Sequence, residues 1–117
     1  MEVAATAFLQ SLNDEQKTKA VFPFDGEERN NWHFIPKVRA GFAMREMSEE
    51  QKGLVMKLLQ TGLSEQGQQK AENIMQLERI LQELEELPYE NDRRNPQLYY
   101  LAIFGTPDGD TPWGWRF

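Results

Sequence analysis

The final stretch of the chain, Leu98–Phe117 (LYYLAIFGTPDGDTPWGWRF), limits the fold more than any other segment. Its first part, Leu98–Phe104, is an apolar and aromatic run bounded by Pro96 and Gly105, which is typical of a β-strand. Trp113–Phe117 predicts a second strand. The loop between them contains two prolines and two glycines, so it cannot extend a strand ladder and favours a return. The sequence therefore predicts an antiparallel hairpin.

The first strand of this hairpin is predicted to lie at the centre of a sheet. Both sets of alternating residues in Leu98–Phe104 are apolar or aromatic, which is typical of a strand covered on both faces. In the second strand, Trp113, Trp115 and Phe117 share one face. Arg116 points from the other face. Because a buried arginine must be paired or hydrogen-bonded, Arg116 is either an edge residue or structural ion pair, or an anion-binding group inside a cleft.

Helices are predicted before the hairpin. Val3–Leu12 has apolar residues near helical spacing. Asn13 and Gln16 then form a capping-box pattern, and Pro23 ends the helix that follows. A second capping-box pattern, Asp25–Glu28, opens one or two further turns.

A helical hairpin is predicted in the middle of the chain. Ser48 with Gln51 starts its first helix, and Gly62 is suited to the C-cap of that helix. Ser64 caps a longer second helix, which Pro88 stops. The predicted buried stripe of the first helix consists of Leu54, Val55, Leu58 and Leu59.

The second helix of this pair carries an apolar repeat with spacings of three, four and three, formed by Ile74, Leu77, Leu81 and Leu84. The repeat covers only about two heptads, which is shorter than a coiled coil requires. It is therefore either a core-packing face or a partner-binding face, and we favour core packing.

A short third strand is predicted at Trp32–Ile35, because these residues are strand-prone and a lone hairpin is only marginally stable. Lys37–Met47 has no clear period, so we expect an irregular connection there. The fold class is therefore α+β. We expect N-terminal helices and a helical hairpin packed on a small antiparallel sheet of Trp32–Ile35, Leu98–Phe104 and Trp113–Phe117.

Charge and composition exclude several classes of function. The net charge is −6, and Ser64–Asp92 accounts for it with eight acids and two bases, which argues against a nucleic-acid or anionic-membrane partner. The chain has no cysteine, so disulfides and thiolate metal sites are excluded. It has no run of the roughly 18 apolar residues that a membrane span needs. Its start does not resemble a signal peptide, and its compartment does not follow from the sequence.

The candidate site residues are few. His33 is the only histidine, so a zinc site within this chain is not expected, and His33 is either structural or a ligand-binding residue. The candidates for an aromatic platform that binds a sugar or another flat ligand are Trp32, Trp113, Trp115, Tyr99 and Tyr100, although packing in a core explains them better. No phosphate-binding glycine motif, nucleophile elbow or Ser-His-Asp order is visible.

Five segments of the chain together resemble a known family. Their sequences are KAVFPFD, NWHFIP, LQTGLSEQGQQKA, LYYLAIFGTP and WGWRF, at residues 19–25, 31–36, 59–71, 98–107 and 113–117. In this order, and over nearly the whole chain, they are similar to the opening part of the domain-of-unknown-function family numbered 3500. The resemblance implies no established activity.

The resemblance also implies a longer domain. In the family, the pattern continues beyond the segment matched by Trp113–Phe117 into a His-His segment, which does not occur in this sequence. We therefore expect residues 1–117 to be a single domain that forms the N-terminal portion of a longer family domain. If the His-His segment supplies metal ligands, a divalent metal belongs to a full-length form, and we expect no cofactor within this chain.

Three functions remain open, and neither a substrate nor a reaction follows from the sequence. The first is the supporting half of a metal-dependent, enzyme-like domain, with a pocket lined by His33, Arg116 and Tyr99. The second is a non-catalytic binding module in which the aromatic set binds an unidentified small molecule. The third is an assembly module that uses the acidic helix 64–87. Self-association is expected through that helix or through the C-terminal strand, where an unpaired apolar edge would favour strand pairing with another copy of the chain.

Overall fold

The computed structural model describes residues 1–35, 37–88 and 92–117, and within them the chain forms four α-helices and four short strands. The helices α1 to α4 span Glu2–Gln10, Asp14–Ala20, Glu49–Gly62 and Glu65–Leu84. The strands β1 to β4 span Val21–Phe22, Phe42–Ala43, Tyr100–Phe104 and Gly114–Arg116. Short 3₁₀ helices lie at Glu27–Asn30, Met44–Glu46 and Asp92–Arg94.

Strand β3 is the strand with which each of the other three pairs. Strand β4 is antiparallel to it, with Trp115 opposite Ile103. Strand β2 is also antiparallel, with Phe42 opposite Leu101, whereas β1 is parallel, with Val21 opposite Ile103. The predicted hairpin and the α+β class are confirmed, and the sheet is mixed because β1 joins it in the parallel direction.

The strand predicted at Trp32–Ile35 is wrong. These four residues are irregular and exposed, and they pair with no strand. Strands β1 and β2 occupy the edges of β3 instead. Strand β1 lies where the sequence predicts the end of a helix, and β2 lies in Lys37–Met47, which the sequence predicts to be irregular. Both are two residues long, so neither shows the alternation that identifies a strand.

The predicted helix starts are largely confirmed. Asn13 and Gln16 form a complete capping box, and so do Ser48 and Gln51, where the Gln51 amide nitrogen donates to Ser48 Oγ at 3.2 Å. Ser64 Oγ accepts a hydrogen bond from the third residue beyond it. Each such cap stabilises its helix by about 1 kcal/mol. The capping box predicted at Asp25–Glu28 is not formed, because the 3₁₀ helix there begins after a glycine.

The core lies between the sheet and helices α1 and α3, which pack against each other. Gln51 is buried beside it and donates its side-chain amide to the Ser11 carbonyl at 3.0 Å, which joins the start of α3 to the end of α1. The predicted stripe of α3 is confirmed, since Val55, Leu58 and Leu59 are buried and Leu54 packs against the core. The buried cluster consists of Ala5, Phe8, Leu12, Ala20, Phe42, Met47, Val55, Leu58, Leu101 and Ile103.

Helix α4 lies mostly outside this core. Gln82 is its only buried residue among those described, and Ile74, Leu77 and Leu84 are exposed. Core packing of the apolar repeat is therefore wrong for these three positions. No helix in the described ranges combines the length and the apolar character that a membrane crossing needs.

Gly62 has a different role from the predicted C-cap. It is the last residue of α3, and the cap position is Leu63 in an extended conformation. A Cβ atom at Gly62 would lie 2.5 Å from Cζ2 of the Trp115 indole. The absence of a side chain at Gly62 therefore lets β4 approach the end of α3.

We expect Gly62→Ala to lower the free energy of unfolding by about 1 kcal/mol or more, because the added methyl group overlaps the Trp115 ring. Gly53→Ala is the matched control in the same helix, since its added Cβ meets no atom within 4 Å. That variant should gain about 0.5–1 kcal/mol from helix propensity. Urea unfolding of both variants measures the difference, and equal effects at the two sites would contradict the steric explanation.

Candidate functional site

A cavity of about 940 Å³ lies between segment 32–40, helix α4 and the residues that lead into β3. Its volume falls within the roughly 300–1,000 Å³ that small-molecule sites occupy. The aromatic side chains that line it come from distant parts of the sequence and are Trp32, Phe34, Tyr99, Tyr100 and Phe117. The pairing of β3 with β2 and β4 brings these parts of the chain together.

Five of the residues singled out by the sequence line this cavity: Trp32, His33, Tyr99, Tyr100 and Arg116. Trp32 and His33 do so from an irregular segment rather than from the strand that the sequence predicts. The His33 ring is exposed, and its Nε2 lies 2.8 Å from Oδ1 of Asn31. A ligand-binding role for these five residues stays a prediction.

Trp113 and Trp115 do not line the cavity. Both are partly buried and pack against the hydrophobic core. The indole N–H of Trp115 points to the sulfur of Met1 at 3.1 Å, and its ring covers Gly62. The predicted aromatic set is therefore divided between the core and the cavity, and it does not form one platform.

Arg116 is held by the protein itself. Its Nη2 donates to Glu28 Oε1 at 2.6 Å and to the Ala40 carbonyl at 3.3 Å. Its Nη1 donates to the carbonyls of Glu28 and Asn31 at 2.9 and 3.2 Å. Of the two interpretations offered by the sequence, the structural ion pair describes this geometry. Arg116 joins β4 to the 3₁₀ helix and to the residue before Gly41.

The ion-pair partner of Arg116 is Glu28, whose carboxylate accepts hydrogen bonds from two side chains. A hydrogen bond from the Asn31 side chain and a second one from Arg116 lower the pKa of Glu28 below its usual value. The folded protein therefore favours the ionised carboxylate. Its contribution to stability is present above the ordinary pKa of a glutamate and is lost as the pH falls through the lowered value.

Tyr99 connects the cavity to helix α4. Its hydroxyl donates to Glu78 Oε1 at 3.3 Å, and its ring stacks on Phe117 with the ring centres 5.8 Å apart. Burial, followed by the negative charge of Glu78, raises the pKa of Tyr99 to about 12. Tyr99 is therefore a neutral hydrogen-bond donor at physiological pH.

Arg94 holds α4 through two acids. Its guanidinium forms an ion pair with Glu85 at 2.6 Å, and its Nη1 lies 3.6 Å from Glu78 Oε2. That Glu78 oxygen is buried and has no hydrogen-bond partner among the described residues. The side of α4 that faces the cavity is thus attached by polar contacts.

Arg39 shapes the segment that forms the outer wall of the cavity. Its guanidinium donates to three carbonyl oxygens, those of His33, Ile35 and Lys37, at 2.6, 2.9 and 2.9 Å. These acceptors are neutral, so they leave the positive charge of Arg39 uncompensated. In the part of the chain that the structure describes, neither Arg39 nor Lys37 forms an ion pair with a carboxylate.

The lining of the cavity is basic although the chain is acidic. Its cationic side chains are Lys37, Arg39, Arg45, Arg93, Arg94 and Arg116, and its carboxylates are Glu46 and Glu78. The net charge of the whole chain is −6. Positive charge is therefore concentrated at this cavity, where an anion would be attracted.

Sequence reasoning missed Lys37, Arg39 and Glu78 as parts of this site. Lys37 and Arg39 belong to a segment without periodicity, and Glu78 resembles the other acids of a solvated helix face. The excess of basic residues in 37–45 was the available signal, because it occurs in an otherwise acidic chain.

The described residues contain no group of three or more His, Asp or Glu side chains placed to share a metal ion. The groups that line the cavity are mainly cations and aromatic rings. Guanidinium and ammonium groups bind carboxylates and phosphates, and aromatic rings bind flat or apolar groups.

The fold and the cavity define an α+β protein with a basic, aromatic-lined cavity. A family model described as a protein of unknown function, DUF3500, matches residues 1–117. The chain therefore belongs to the DUF3500 family, as its resemblance predicts. No curated protein and no solved structure matches it.

We expect Arg116→Met to lower the free energy of unfolding by about 2–3 kcal/mol, because it removes an ion pair and leaves Glu28 partly buried without its partner. Arg79→Met is the matched control, since Arg79 is exposed and should change stability by less than about 0.5 kcal/mol. Chemical denaturation measures both. Equal losses would mean that the Glu28–Arg116 pair contributes nothing beyond a surface charge.

We expect the unfolding free energy to fall between pH 10 and about pH 12 because Tyr99 holds its proton more tightly when folded. The stabilisation is present below about pH 10, the pKa of Tyr99 in the unfolded chain, and it is lost as the pH rises through the pKa of Tyr99 in the folded protein. Tyr99→Phe should remove this part of the pH dependence together with the tyrosinate absorbance that develops near pH 12. A wild type whose stability does not change between pH 10 and about pH 12 would refute the assignment.

Proposed function

We propose that this chain is a binding module for a small organic anion that carries a flat or apolar group. The observation that supports the proposal best is the contrast between the basic lining of the cavity and the acidic chain around it. A cavity of this volume is suited to a metabolite-sized ligand.

Lys37 and Arg39 are the groups best suited to contact the anion. Both line the cavity, and neither is paired with a carboxylate of the described residues. Arg94 and Arg116 are already neutralised by acids, so their role is to shape the cavity. The hydrogen bonds of Arg39 to backbone carbonyls also preorganise it, which reduces the entropy lost on binding.

Trp32 is suited to the flat or apolar part of the ligand. Its side chain is largely exposed at the rim of the cavity, while Trp113 and Trp115 lie against the core. A ring that stacks on Trp32 would remove this apolar surface from water. Binding would therefore change the fluorescence of one tryptophan of the three.

The two other functions predicted from the sequence have different support. For the supporting half of a metal-dependent enzyme, the described residues provide no group of three His, Asp or Glu side chains placed to hold a metal ion. The assembly module has a specific observation in its favour, the exposed apolar residues of α4. Both stay predictions.

We expect phenyl phosphate and benzoate to quench the tryptophan fluorescence saturably, while benzyl alcohol, a neutral analogue, should not. Lys37→Ala should weaken binding about tenfold, which corresponds to about 1.4 kcal/mol and to the loss of one charge-assisted contact. Lys57→Ala is the matched control, because Lys57 is exposed on α3 and does not line the cavity. Isothermal titration calorimetry measures the affinity independently of fluorescence.

The variant Trp32→Phe tests whether Trp32 is the tryptophan whose fluorescence changes on binding. This variant should lose the fluorescence change, while calorimetry should still detect the ligand. The proposal is wrong if none of the anions produces heat or quenching at millimolar concentration. It is also wrong if Lys37→Ala and Lys57→Ala bind equally well.

A further inference from the structure

A row of hydrogen bonds connects the Glu28–Arg116 ion pair to the ring of His33. Arg116 donates to Oε1 of Glu28 at 2.6 Å, and the side-chain amide of Asn31 donates to Oε2 of the same carboxylate at 2.8 Å. The oxygen of that amide, Oδ1 of Asn31, lies 2.8 Å from Nε2 of His33. His33 is therefore the end of this row, and it lines the cavity with an exposed ring.

The row determines which nitrogen of the neutral His33 ring carries the hydrogen. An ionised carboxylate only accepts hydrogen bonds, so the Asn31 amide turns its NH₂ group to Glu28 and its oxygen to His33. An amide oxygen also only accepts, so Nε2 of His33 is the donor. The other nitrogen, Nδ1, has no hydrogen-bond partner among the described residues. It accepts in the neutral ring and donates only after it has bound a proton.

His33 lies among cationic groups. Arg39 donates to the His33 carbonyl at 2.6 Å, and Lys37 lines the cavity from the same segment. The carboxylate of Glu28 reaches the ring only through Asn31 and is paired with Arg116. The other titratable residues that line the cavity come from neighbouring elements and are Arg45, Glu46, Glu78, Arg93, Arg94, Tyr99 and Tyr100. Histidine is the only residue type in this set whose charge ordinarily changes between pH 5 and pH 8.

We propose that His33 is a pH-dependent contact for the anion bound in this cavity, in which a proton on Nδ1 supplies a third cationic donor beside Lys37 and Arg39. The inference rests on the binding function proposed above and adds a residue that adjusts its affinity. The charged ring donates from both nitrogens, so it keeps the hydrogen bond from Nε2 to Asn31. The row of hydrogen bonds is thus compatible with both charge states of the ring.

Binding of the proton and binding of the anion are then coupled. A bound anion favours the charged form of His33, and the charged form favours the anion by the same factor. The affinity for an anion should therefore rise as the pH falls through the range in which histidine takes up a proton. The gain of one charge-assisted hydrogen bond corresponds to an affinity change of about tenfold.

The test is the affinity for benzenesulfonate at pH 8 and at pH 5.5, measured by isothermal titration calorimetry. A sulfonate keeps one negative charge across this range, whereas a phosphate monoester changes its charge near about pH 6. The wild type should bind about tenfold more tightly at the lower pH. His33→Gln cannot gain the charge, so the ratio of its two affinities should be close to one. Asn30→Gln is the matched control, since Asn30 is exposed and does not line the cavity, and it should keep the full rise.

A second measurement uses the fact that His33 is the only histidine, so one set of histidine ring signals appears in NMR spectra. Long-range proton–nitrogen correlation should show the hydrogen on Nε2 in the neutral ring. Saturating benzenesulfonate should move the titration of these signals to higher pH, because the anion stabilises the charged ring.

The outcomes separate this inference from the binding function on which it rests. Equal wild-type affinities at the two pH values, a rise that His33→Gln retains, or a neutral ring with its hydrogen on Nδ1 would overturn the role of His33 and leave anion binding in place. Absence of binding heat at both pH values would overturn the two together.

Discussion

Burial of strand β3 is the constraint on which the rest of the structure depends. Leu101, Ala102 and Ile103 are fully buried, so the backbone groups of the strand must find partners without water. The chain supplies them from three distant segments, β1, β2 and β4. Strand β2 also places Phe42 and Ala43 in the buried core, so the short strands supply packing as well as hydrogen-bond partners.

Arg116 extends this arrangement from the sheet to the cavity. It lies next to β3 on the last strand, and its guanidinium reaches Glu28 and the carbonyls of Asn31 and Ala40. One side chain thus joins the end of the hairpin to both ends of segment 32–40. The described residues of this segment, 32–35 and 37–40, form no helix or strand, and Arg116 and Arg39 hold its backbone through hydrogen bonds to carbonyl oxygens.

Helix α4 contributes little to the hydrophobic core. Glu78 of this helix contacts Arg94 and Tyr99, while Ile74, Leu77, Ile80 and Leu84 are exposed. The same contacts provide one wall of the cavity, because Glu78 lines it. Helix α4 therefore contributes a polar group to the cavity wall and exposed apolar side chains to the surface beside it.

The sequence alone determined the features that depend on neighbouring residues. The capping boxes at Asn13 and Ser48 and the hairpin around Gly105 are local, since each needs only a few consecutive residues to form its hydrogen bonds or its turn. Tertiary structure decided the rest. Two-residue strands carry no periodicity, and the apolar repeat of α4 could not reveal that Arg94 and Tyr99 would contact the helix through Glu78. The cavity likewise combines Trp32, Tyr99 and Arg116, whose proximity arises only when distant segments pair with one buried strand.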